Sequence, residues 1–141
     1  MTDNHREVTI TRPEAGRYVA TNARGSRIEF GSGAAGVDEF TPVELLLAAI
    51  AGCTGIDVDL ITSRRAEPDS FEIVAAAEKI RDEQGNRLTD IELTFRLTFP
   101  DGEAGDAARA VLPEAVKRSH DRLCTVGRTV EVASPVATRI E

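Results

Sequence analysis

Cys53 and Cys124 carry the richest chemistry in this chain. Two thiols far apart in sequence but joined in a fold can run a peroxide cycle. One thiolate attacks the O–O bond and becomes a sulfenic acid, and the second condenses with it to give a disulfide. The attacking sulfur must be ionised, which calls for a nearby arginine to lower a thiol pKa from about 8.5 and a carboxylate to hold that arginine in place. Every basic residue except Lys79 and Lys117 is an arginine, so composition does not choose among them. Gly52, Thr54 and Gly55 flank Cys53. A glycine inside a helix costs about 0.5–1 kcal/mol relative to alanine, so two beside one thiol suggest close approach of a partner backbone or a substrate. The plainer alternative is a small core cysteine with glycines that permit tight packing. His120 and Cys124 are spaced i, i+4 and with Cys53 make a conceivable three-ligand zinc set. They lack the paired, short-spaced ligands of structural zinc, and His120 suits a helix end, where the dipole favours it. No zinc site is therefore expected.

These residues need elements to position them. Val8-Thr9-Ile10-Thr11, Arg17-Tyr18-Val19-Ala20-Thr21 and Arg27-Ile28-Glu29-Phe30 are short β-type runs, divided by turn chemistry at 13–16 and 22–25. The glycine-rich stretch 31–36 predicts a loop. Thr41-Pro42-Val43-Glu44 then opens a helix with an N-cap, a proline at the first helical position and the glutamate of a capping box. The run Leu45 to Cys53 is apolar on every face, so this central helix, placed at about 41 to 65, must be covered all round by sheet or by another subunit. Phe71–Ile80 and the alternating run Ile91, Leu93, Phe95, Leu97, Phe99 predict a β hairpin. Residues 107–123 are helical in pattern, with Pro113 set to kink or restart the helix. Thr129–Val132 and Val136–Ile140 predict closing strands. Strands, helix, hairpin, helix, strands is an α+β order.

Composition narrows the class. At 141 residues the chain suits a single domain spanning 1–141. Seventeen Lys+Arg against 24 Asp+Glu leave a net charge of −7, which disfavours a grip on nucleic acid or anionic lipid. The uncharged run 45–56 falls short of the roughly 20 residues needed to cross a bilayer, so no membrane is expected. Polar residues from Met1 to Glu7 carry no secretory pattern. A cytoplasmic chain is expected, and two cysteines there stay reduced unless they cycle as part of the chemistry.

The segment Thr41-Pro42-Val43-Glu44-Leu45-Leu46-Leu47-Ala48-Ala49-Ile50-Ala51-Gly52-Cys53-Thr54, followed by a hairpin and by a helix ending in Leu123-Cys124-Thr125-Val126, resembles the OsmC/Ohr superfamily of organic hydroperoxide reductases. The resemblance spans nearly the whole chain. It implies an OsmC-like fold in an intertwined homodimer with active sites at the subunit interface, and a role in oxidative or osmotic stress. It also implies Cys53 as the attacking thiol, Cys124 as the resolving one, no metal or organic cofactor, and a dithiol or lipoylated protein as reductant. Arg17 is the best positional match to the family's N-terminal catalytic arginine, with Arg27 behind it. Aligned on the cysteine, the family's catalytic glutamate falls at Val43, one position before Glu44. At about 100° per residue Glu44 faces nearly away from Cys53, which leaves it the capping box. Asp57, one turn after Cys53 and on its face, could hold an arginine in that glutamate's stead, though unpaired it would raise the thiol pKa. The alternative from another class is a non-catalytic OsmC-like dimer that senses redox state or binds an apolar ligand, and the loss of a carboxylate at position 43 favours it.

Overall fold

A computed structural model describes residues 4–34 and 38–141. Met1 to Asp3, and Ala35 and Gly36 of the expected loop, lie outside the described residues. The chain is mixed α+β and divides into two compact units, Met1–Leu46 and Leu47–Glu141.

The first unit is an antiparallel meander of β1 (Val8–Glu14), β2 (Arg17–Asn22) and β3 (Arg27–Gly31). Its register pairs Tyr18 with Phe30, whose rings stack with centroids 5.6 Å apart, and Val19 is its buried residue. Such cross-strand pairs are what a small sheet has for cohesion. Beyond β3, Phe40 bridges to Phe30, and Gly31 donates its N–H to the Phe40 carbonyl at 3.0 Å. Helix α1 (Pro42–Thr62) then begins with the expected capping box. Glu44 Oε1 accepts from the Thr41 N–H at 2.8 Å, and Thr41 Oγ1 accepts from the Glu44 N–H at 3.3 Å.

In the second unit α1 buries one stripe, Ile50, Thr54, Val58 and Thr62, at a helical spacing of four. The opposite expectation, cover on all sides, is not met within the chain: Ile56 is 64% and Leu60 59% exposed. At 21 residues α1 is also long and apolar enough to cross a bilayer by length and composition alone, which the shorter uncharged run did not suggest. β4 (Ser70–Asp82) and β5 (Gly85–Thr98) form the expected hairpin. Asp82 caps the turn by accepting from the Gln84 N–H at 2.9 Å and from Arg87 Nε at 2.7 Å. A bulge at Asp90 and Ile91 of β5 faces the single residue Ala77 of β4, and Asp90 takes a left-handed φ of 54°, a conformation that aspartate tolerates better than branched residues.

The C-terminal third departs from expectation. Helix α2 (Glu103–Arg118) starts earlier than 107 and continues past Pro113. Its start is fixed from outside: Arg109 donates to the Phe99 carbonyl at 2.9 Å and to Asp106 at 2.5 Å, locking the first turns to the end of β5. A π-turn at Ser119–Leu123 follows, and then α3 (Thr125–Val132). Thr129–Val132 is therefore helix rather than strand. The Cys124 side chain caps it by accepting the Gly127 N–H, and Thr129 Oγ1 donates to the Thr125 carbonyl at 2.7 Å. A cap plus a threonine bonded back one turn outweigh the β preference of the side chains. Val136–Ile140 forms no strand either; it has no regular structure, and Val136 and Ile140 are fully in solvent.

Gly105 carries the close approach of α2 to the Pro100 carbonyl, since a Cβ there would sit 1.6 Å from that oxygen. Gly105→Ala is therefore expected to destabilise the chain by about 2–3 kcal/mol, the scale of overpacking a rigid contact. Urea unfolding checks this, and a midpoint equal to the parent's would show that the backbone gives way freely.

Candidate functional site

Cys53 sits on α1 three positions after the buried Ile50, half-buried beside the stripe that faces the interior of the second unit. Cys124 lies at the junction of the π-turn and α3 and is only 1% exposed. The fold brings them together: the two thiols are near enough for Cys124 to act on the Cys53 sulfur. Helix α3 aims two consecutive amides at them. The Gly127 N–H donates to Cys124 Sγ at 3.2 Å, and the Val126 amide lies near enough to Cys53 to favour its thiolate. Gly127 must be small for this, because a Cβ would lie 3.1 Å from that sulfur. Gly55 has a different reason: a Cβ there would meet Ile73 Cδ1 at 2.9 Å, so it lets β4 pack on α1, while Gly52 faces open space. Of the two glycines that suggested a close approach, one meets a packed strand and the other meets nothing.

Burial is the largest influence on Cys53 and pushes its pKa up. The Val126 amide opposes that, while the neighbouring Cys124 thiol and the Asp57 carboxylate add to the rise, and the net result is a raised pKa. None of these influences is a cation.

Asp57 does not hold an arginine. Its Oδ2 accepts from Ser119 Oγ at 2.8 Å, and Ser119 is fully buried at the start of the π-turn. The Ser119 carbonyl in turn accepts the Cys124 N–H at 2.9 Å. Glu44 is occupied by the capping box described above. His120 is engaged by carboxylates at both ring nitrogens, Asp121 at 3.0 Å and Glu131 at 3.1 Å, so it links the π-turn to α3.

Arg17 lies in the first unit, where its guanidinium pairs with Glu39 and, at 3.5 Å, with Glu14. Glu39 raises the already high pKa of that guanidinium. Arg27 pairs with Glu29 at 3.9 Å. Sequence reasoning missed Glu39, Ser119, Val126 and Gly127. The only signal was for Gly127, a residue without a side chain close after a cysteine. Two of the others act through backbone groups or a lone hydroxyl, which no motif marks.

A cleft of about 340 Å³ lies on this side of the second unit, lined by neighbours of the thiols but not by the cysteines themselves. Ile50, Leu93, Phe95 and Val130 give it apolar walls, Glu92, His120 and Glu131 a charged edge, and Thr54 and Gly127, each beside a thiol in the chain or in space, also line it. A thiol pair beside the first turn of a helix and near a cleft with apolar walls can exchange electrons with a small, largely apolar oxidant.

Comparison with known proteins agrees with this architecture. The sequence profile of the OsmC-like proteins matches residues 33–139, and the chain belongs to that family. An uncharacterized protein of Mycobacterium tuberculosis is 30% identical over 131 residues, covering 92% of each chain. The structure is similar to an OsmC-like protein from Mycoplasma pneumoniae, with a TM-score of 0.72 at 16% identity over 92% of this chain and 89% of that one. It shares its fold with the organic hydroperoxide resistance protein OhrB of Bacillus subtilis, with a TM-score of 0.54 at 22% identity over 89% and 90%.

The carboxylates around His120 raise its pKa above the ordinary 6.5. A histidine whose pKa is higher folded than unfolded stabilises fully below its unfolded value and loses that contribution as pH rises through the folded one. The chemical-denaturation midpoint of the parent should therefore fall as pH rises above the ordinary 6.5 and through the raised folded value, and stay flatter in His120→Gln. Equal slopes for the two proteins would remove the link.

Proposed function

We propose that this chain is a thiol-dependent peroxidase that reduces organic hydroperoxides to alcohols. The observation that carries the proposal is the pair of thiols, Cys53 and Cys124, brought near each other beside the first turn of α3. Cys53 is the attacker because it is the more exposed of the two. Its thiolate takes the outer oxygen of the hydroperoxide: an S–O bond forms, the O–O bond breaks, and the alkoxide leaves as the alcohol after gaining a proton. Cys124 then attacks the sulfenic sulfur, forming the S–S bond while hydroxide departs with the Cys124 proton as water. A dithiol, small or carried on a lipoylated protein, exchanges with that disulfide, returns both thiols and is itself oxidised. The apolar cleft suits the hydrocarbon part of the substrate.

Two further elements of this proposal rest on the family resemblance. Arg17 is the cation that supports the Cys53 thiolate, with Glu39 as the carboxylate that position 43 lacks. The exposed apolar residues of α1, Ile56 and Leu60 among them, are covered by a second copy of the chain. Asp57 and Asp59 lie in that same stretch, and carboxylates are expensive in lipid, which favours protein cover.

A second reading, a dimer that stores redox state without peroxide turnover, is favoured by one observation: the net influence on Cys53 disfavours its thiolate. Stopped-flow reduction of cumene hydroperoxide with dihydrolipoamide separates the two. The peroxidase requires turnover in the parent, none in Cys53→Ser, and a single turnover in Cys124→Ser. A parent that forms its disulfide reversibly yet consumes peroxide no faster than a free thiol supports the sensor instead.

A further inference from the structure

The bond between Ser119 and Asp57 joins the helix that carries Cys53 to the turn that carries Cys124. Asp57 is one helical turn beyond Cys53 on α1, so its carboxylate is rigidly placed relative to that sulfur. Ser119 works from the other side through two groups at once. Its hydroxyl donates to Asp57 Oδ2 at 2.8 Å, and its carbonyl accepts the Cys124 N–H at 2.9 Å. The carbonyl bond spans five residues and closes the π-turn, a rare local geometry that occurs often at functional sites. Ser119 is fully buried and Asp57 is half-buried. A hydroxyl-to-carboxylate bond shielded in this way is stronger than a neutral pair in water.

From this arrangement we infer that Ser119 is a positioning residue for the thiol pair, setting the approach of Cys124 to Cys53 through its bond to Asp57. The inference rests on the reading that the two thiols cycle. Disulfide formation tolerates little error, since the Cα atoms must come within about 7 Å with their Cβ vectors converging. A five-residue turn left free at its start would sample many arrangements in which the sulfurs miss. With Ser119 tied to α1, the chain between the anchor and Cys124 is short and its closing N–H is already bonded. Asp57 thereby has two separable effects on Cys53: its bond to Ser119 holds the partner thiol in place, and its charge opposes the thiolate.

The test uses the full chain in glutathione redox buffers, where the two protein thiols and one oxidised glutathione give the protein disulfide and two reduced glutathiones. Ser119→Ala is expected to lower that equilibrium constant about tenfold, the scale of losing one hydrogen bond to a charged group. Asp57→Asn, whose amide oxygen still accepts from Ser119, should stay within about twofold of the parent. In that variant the pH profile of Cys53 alkylation should move to lower pH, a shift that a purely structural role would not produce. Asp57→Ala breaks the same bond from its half-buried end and serves if Ser119→Ala fails to fold. A Ser119→Ala or Asp57→Ala equilibrium within twofold of the parent overturns the inference, and so does an equal loss in Asp57→Asn. No peroxide is used, so the two claims fail differently. A parent that forms the disulfide but turns over no hydroperoxide loses only the peroxidase reading, whereas a parent that forms no disulfide overturns both.

Discussion

The approach of two sulfurs from distant parts of the chain depends on a polar bond in a largely apolar setting. Ser119 is buried without exposure, and its hydroxyl has one strong acceptor, the Asp57 carboxylate. Neither group is stable there alone, because a buried hydroxyl without a partner and a half-buried charge without a donor both carry a desolvation penalty. Joined, they fix the end of α2 against the middle of α1, and the π-turn then has only a short path to Cys124. Helix α3 begins at that cysteine and so must point its first free amides back toward the sulfurs. The chemistry of the site follows from the way one helix ends and the next one starts.

The composition of α1 sets a second constraint. A helix with leucine, isoleucine or alanine at nearly every position from 45 to 51 has no polar face to offer water. Yet the chain itself buries a single stripe of it, and that stripe contains two threonines, Thr54 and Thr62. Thr62 satisfies its hydroxyl by donating to the Val58 carbonyl at 2.9 Å, the usual solution for threonine inside a helix. The remaining apolar surface is larger than scattered exposed residues would explain. The proposed second copy is the economical cover, since it buries this surface without placing Asp57 or Asp59 in hydrocarbon.

Much of this was legible from the residues alone, and the failures have physical causes. The start of α1 was marked three times over by Thr41, Pro42 and Glu44, and the β5 alternation could belong only to a sheet with unlike faces. Both are local signals, and local signals survive folding. Thr129-Val130-Glu131-Val132 misled because β-branched side chains state a preference, whereas the Cys124 cap and the Thr129 back-bond decide the outcome. Pro113 left two outcomes open, and of these the helix does not restart there: α2, anchored near its start by Arg109, carries on past it. At the site, both cysteines were visible as residue types. The groups that govern them are amides at 126 and 127 and a serine at 119, and their roles come from placement in space rather than from spacing in sequence. Arg17 was singled out by position, but Glu39 was not, because an acidic residue ahead of a helix has many ordinary reasons to be there.

Asp57 makes the balance of the site a compromise between the two halves of the proposed cycle. Resolution of the sulfenic acid gains from a carboxylate that anchors Ser119, while attack on the peroxide loses from a negative charge near the Cys53 sulfur. Removing the charge but keeping the anchor, as an asparagine would, relieves the electrostatic cost to attack and leaves the acceptor for Ser119 in place. The amide of Val126 offsets part of the harm, but burial of Cys53 is the larger influence and acts in the same direction as Asp57. A hydrogen bond from one amide does not overcome both. A cation brought to Cys53 is then a requirement of peroxidase chemistry in this chain, and without it the same pair of thiols remains a slow redox couple.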